Sequence, residues 1–145
     1  MRGTYRVVSG LIALAVVFQA AMIAFGTFGV IHEIESGTVL TSDTDVPNAG
    51  PMLHGIGGTV VIPLLTLVLL VVSFFARVRG GVRRASLLLL AVAVQITLGF
   101  AGFETPAAGL LHGANAFVIL TLAVLAARAA GARAPARPTG DAARV

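Results

Sequence analysis

The chain has 145 residues, 57% of them hydrophobic and only 11% charged, with a mean hydropathy of +0.98. That balance excludes an ordinary soluble domain, and the absence of cysteine excludes disulfides and thiolate metal ligands. The net charge of +4 comes from ten arginines against six acidic residues, and where those charges fall decides what they mean.

Apolar stretches over residues 7–31, 52–76, 85–103 and 107–127 each approach the ~20 residues that carry a helix across a hydrocarbon core. The expected fold is all-α: an integral membrane, up-down four-helix bundle over residues 1–130. Ahead of the first span stand Arg2 and Arg6. The opening segment has a basic end and an apolar core like a signal peptide, but its apolar run continues well past any small-residue cleavage site and reads as a first span. Its mid-depth Gln19 reads as a polar tie to a neighbouring helix. His32 closes this span in His32-Glu33-Ile34-Glu35 and reads as a loop residue, with a haem edge or a divalent ion as its alternative partner.

The following polar loop holds Glu33, Glu35, Asp43 and Asp45, and the second span then opens with Leu53-His54-Gly55. Pro63 removes a backbone donor from that span and predicts a bend in it. Arg77, Arg79, Arg83 and Arg84 separate the second span from the third, which carries Gln95 at mid-depth. Glu104-Thr105-Pro106 is a short link whose last two residues form a helix-start signal. The fourth span repeats the triplet as Leu111-His112-Gly113 and is followed by Arg128, Arg133, Arg137 and Arg144. Residues 131–145 have the composition of a disordered tail.

All ten arginines therefore flank one side of the four spans, and five of the six acids lie on the other or at its edge. Such a bias is the mark of a multi-pass protein with both termini cytoplasmic, in the plasma membrane of a bacterium (its inner membrane). The basic character encodes orientation and gives no reason to expect a nucleic-acid partner.

An internal repeat runs through the chain. Gln19 precedes Gly26 by seven residues and Gln95 precedes Gly102 by seven; each pair is followed by a Leu-His-Gly triplet opening the next span. The chain reads as two similar helical hairpins. His54 and His112 then lie at a shared depth, ~3–8 Å below the outer boundary at 1.5 Å of rise per residue. They stand on diagonal helices of the bundle, with room for one metal between them. Gly57 and Gly58 neighbour His54 on its helix, and Asn115 and Ala116 neighbour His112. Gly26, Gly29, Gly99 and Gly102 would lower the remaining two walls. These features favour one haem b with His54 and His112 as axial ligands. A structural hydrogen bond, another metal, a quinone site or a proton role are the alternatives, and close helix packing is the alternative use of the glycines.

The pattern over about residues 15–125 resembles one half of the haem A synthase family, whose members are built from two similar four-helix bundles with a histidine pair holding haem in each. The matching features are Gln95-Ile96-Thr97-Leu98-Gly99, Leu111-His112-Gly113 and His54. The family's substrate-processing half carries a glutamate three residues before the first histidine and an arginine directly after it. Pro51 and Gly55 stand in those places here, so the resemblance implies the cofactor-holding half. The outer side has no Arg or Lys to meet haem propionates, which leaves the amide end of span four, His32 or water.

The functional expectation is a small cytochrome b-like membrane protein that passes electrons or handles haem. Its partners would be the lipid bilayer and a quinone or membrane redox protein. The competing expectation is a cofactor-free accessory subunit of a membrane complex. No nucleophile triad, phosphate loop or intramembrane carboxylate pair supports an enzyme, so at most a minimal haem- or quinone-dependent oxidoreductase is expected, with no catalytic residue assigned.

Overall fold

In the computed structural model, residues 1–41, 43–45 and 47–131 are described. They form helices and connecting turns, with no strand among them. Four long helices account for the architecture: α1 (Arg2–Glu35), α2 (Gly50–Phe75), α3 (Gly81–Glu104) and α4 (Pro106–Gly131). Each is long and apolar enough to cross a membrane, since 24 residues already rise ~36 Å against a ~30 Å hydrocarbon core. The fold is thus all-helical and has the elements of a multi-pass membrane protein. Gly131 still closes α4, and the rest of the expected tail, residues 132–145, lies outside the described residues.

Helix α1 packs on α2 and α4, and α3 packs on the same two, so α2 and α4 face each other across the bundle. The core lies toward one end. Tyr5, Val8, Ile12 and Val16 of α1 are buried against Ile62 and Leu69 of α2, Ala85, Leu88, Ala91 and Val92 of α3, and Ile119, Ala123 and Ala126 of α4. Their spacing of three and four residues is the apolar stripe of packed helices. Buried hydroxyls in this region are satisfied within their own helices, Ser9 by Tyr5 O and Thr66 by Ile62 O. Tyr5, fully buried, donates its hydroxyl to Gly81 O at 3.1 Å and so ties the start of α1 to the start of α3.

The other end is built differently. Beyond Val16 in α1, before Ile62 in α2, beyond Val92 in α3 and before Ile119 in α4, Ala108 is the one buried hydrophobic residue among those described. The remaining buried residues there are Gln19, Gly26, Gly50 and Gly57. This is the end that carries both histidines. The first part of α2, residues 50–61, packs on α1, whereas the contacts of α2 with α3 come from residues 62–75.

The gain of α3 as a second neighbour beside α1 coincides with a π-turn at Gly57–Val61, where Ile62 N–H bonds Gly57 O. Pro63 follows directly, and its ring would clash with the carbonyl four residues back in a regular α-helix. The widened turn relieves that clash, so the expected bend in the second span takes the form of a π-turn. At the loop before α2, Asn48 Nδ2 donates to Phe25 O at 3.0 Å while Asn48 Oδ1 accepts Gly50 N–H at 2.9 Å. Gly29 makes room for that amide, since a Cβ there would collide with Asn48 Nδ2.

Candidate functional site

His54 sits one turn into α2 and His112 two turns into α4. Their rings meet across the bundle, with centroids 6.0 Å apart and planes inclined at 61°. Both side chains are half-buried.

Each ring is held by one nitrogen. His54 Nδ1 lies 3.1 Å from Gln19 O on α1, and His112 Nδ1 lies 2.9 Å from Gln95 O on α3. A carbonyl oxygen only accepts, so each Nδ1 carries a proton, and the neutral form of such a ring has its lone pair on Nε2. Metal-binding histidines are characteristically oriented in this way, by a carbonyl on the far ring nitrogen that fixes tautomer and rotation. The separation also matches: one metal atom bonded to two imidazole nitrogens at about 2 Å from each leaves ring centres roughly 6 Å apart. Among the described residues no three His, Cys, Asp or Glu side chains come together as a group that could hold a metal ion.

The two glutamines occupy matching places. Gln95 Oε1 accepts from Asn115 Nδ2 at 2.8 Å, and the same Nδ2 lies 2.9 Å from Ala91 O, which ties α4 to α3. Asn115 is three residues past His112. Its counterpart three residues past His54 is Gly57, and there the Gln19 amide occupies the space that a side chain would need. Gln19 Nε2 reaches Leu53 O at 3.5 Å, while its buried Oε1 has no partner. Gly58 lies beside that orphaned oxygen, 3.8 Å from the position a Cβ would take.

The remaining glycines pack closely. A Cβ on Gly26 would strike the Pro51 ring at 2.7 Å, and one on Gly102 would meet Gly109 Cα at 3.2 Å. Pro51 and Gly109 each precede a histidine by three residues, so these contacts repeat in the same register. Gly99 lies under the His112 ring, 3.1 Å from Nδ1 and Cε1 to a would-be Cβ. Most of the space these glycines vacate is thus filled by protein, by Gln19, Pro51, Asn48 and His112 itself. Ala116 packs against the core.

His32 is exposed in the last turn of α1. Sequence reasoning missed the two main-chain oxygens of Gln19 and Gln95, although the repeated Gln-Gly spacing pointed at the right residues. Two open grooves of about 410 Å³ each lie away from the histidines, one lined by Leu11, Leu14, Ala15, Phe18 and Leu65, the other by residues of α1 and α4. Compared with known proteins, the chain matches no family model, no curated protein and no solved structure.

Proposed function

We propose that this chain is a small membrane cytochrome of the b type, two similar helical hairpins that hold one haem b between His54 and His112 near the outer face, for electron transfer or haem handling. The observation that carries the reading is the pair of rings 6.0 Å apart, each fixed through Nδ1 to a main-chain carbonyl and each left with a bare Nε2. The one-sided arginines support cytoplasmic termini and an external 33–51 loop, in a bacterial plasma membrane. The resemblance to the cofactor-holding half of haem A synthases supports the same assignment.

The chain's residues fit such a group. Two neutral imidazoles supply nitrogen donors, the histidine end lacks a hydrophobic core of its own, and the orphaned Gln19 Oε1 awaits a hydrogen-bond donor. Bound haem supplies a reversible one-electron couple. The protein's own work is to orient. Gln19 O and Gln95 O keep the Nδ1 protons in place, and because those carbonyls belong to α1 and α3, all four helices hold the two rings. Gly99 lets the His112 ring lie against α3. No residue is assigned a catalytic role, and a quinone or a membrane redox protein is the partner class that this reading calls for.

The second reading is a cofactor-free accessory subunit of a membrane complex. One observation favours it: each histidine already bridges two helices through Nδ1. Purification in mild detergent from haem-supplied cells, with haem quantified as its pyridine complex, separates the two. One haem per chain is expected, and a colourless preparation selects the accessory subunit.

A further inference from the structure

We infer a second site, at the end of the bundle away from the histidines: a groove between α1 and α4 binds an anionic phospholipid, its phosphate held between Arg6 and Arg128. The inference rests on the membrane-spanning part of the reading above and is independent of haem.

The groove holds about 410 Å³ and is lined by Arg6, Gly10 and Ala13 of α1 and by Val124, Ala127, Arg128 and Gly131 of α4. Two arginines from neighbouring helices therefore line one recess, and their like charges favour an anion there. Among the described residues neither arginine has a hydrogen-bond acceptor or an acidic partner. The Arg6 guanidinium rests over the end of α4, with Nη1 3.6 Å from where a Gly131 Cβ would stand. There the negative end of the helix dipole orients it without using all of its donors.

Two forks of parallel N–H donors suit a phosphate, which accepts bidentate pairs. The rest of the groove is apolar and open at Gly10, where nothing approaches within 4 Å of a would-be Cβ, and its other residues, Ala13, Val124, Ala127 and Gly131, are small or apolar. A recess of that kind accommodates an acyl chain, whereas a free phosphate ion gains nothing from it. The level agrees as well. Arg6 lies in the second turn of α1 and Arg128 in the last turn of α4, where headgroup phosphates meet a spanning helix, and basic pockets between helices are a known mode of anionic-lipid recognition.

Native mass spectrometry of the delipidated full chain, titrated with phosphatidylglycerol or phosphatidylcholine, tests the inference. Phosphatidylglycerol is expected to bind more tightly. Arg6→Gln or Arg128→Gln should each weaken it about five- to tenfold, as for one charge-assisted phosphate contact near a membrane surface. Arg83→Gln, an equal change of charge on an exposed residue outside the groove, should leave it unchanged. Arg6→Lys keeps the charge without the fork and should fall between. Gly10→Leu, which fills the recess at constant charge, should weaken lipid binding, and inorganic phosphate should fail to displace the lipid. Equal affinity for the two lipids, an equal effect of Arg83→Gln, or displacement by inorganic phosphate would overturn the site. Release of the chain from membranes by alkaline carbonate would instead overturn the membrane reading on which it rests.

Discussion

His112 is held to Gln95 by a 2.9 Å hydrogen bond from its Nδ1 to the main-chain oxygen, and Gly99, one helical turn past Gln95, provides the flat surface against which the ring lies. Helix α3 thus sets both the tautomer and the tilt of a side chain that belongs to α4. Gly99→Ala would put a methyl group 3.1 Å from Nδ1 and Cε1 and push the ring by a few tenths of an ångström, at about 1–3 kcal/mol for an overpacked contact. Haem retention during detergent washing should fall in this variant. Gly113→Ala, whose methyl meets nothing within 4 Å, should behave as wild type.

Gln19 and Gly57 form a similar dependence in the first half of the chain. Gly57→Ala places a methyl group on the Gln19 amide and should destabilise the protein in a denaturing-detergent titration. Adding Gln19→Ala should recover part of the loss, with a coupling of about 0.5–3 kcal/mol between the two positions. Strict additivity would mean that the amide does not occupy the glycine's space.

The four spans were legible because lipid imposes a demand that composition answers directly, a run of some twenty apolar residues, and the histidine pair was legible because Leu-His-Gly occurs twice. The acceptors of the two Nδ1 protons were not, since a main-chain oxygen has no letter of its own and its choice depends on how each helix is rotated. The glycines illustrate the same point. Gly26 and Gly102 read as walls lowered for a cofactor and Gly57 as a small neighbour of His54, yet Pro51, Gly109 and the Gln19 amide fill those spaces. A missing side chain records close approach without naming what approaches. The π-turn ahead of Pro63 was legible only as a bend, because the proline predicts relief of a clash and not the form that relief takes.

The two ends of the bundle should respond separately to mutation. Tyr5→Phe removes the hydroxyl's hydrogen bond to the Gly81 carbonyl, a loss of about 0.5–1.5 kcal/mol. Unfolding in denaturing detergent should shift accordingly while the visible spectrum stays unchanged, because the histidines draw their support from Gln19 and Gln95.

Orientation is open to a direct check. A reporter active only outside the cytoplasm, fused to the C-terminus, should remain silent, and a cytoplasmic reporter at the same place should be active. The reverse result would put the arginine-flanked side of the helices outside and both histidines near the cytoplasmic face.

The central claim is that His54 and His112 share one metal, and the visible and electron paramagnetic resonance spectra of the purified protein test it most directly. Wild type should show the split bands of reduced low-spin haem b and, when oxidised, a six-coordinate low-spin signal. His54→Ala and His112→Ala should each abolish that signature. Their effects should not add, because either change already breaks the six-coordinate site. His32→Ala should leave the signature intact. A wild-type spectrum retained by His54→Ala would contradict the account, and His32 with His112 would become the pair to examine.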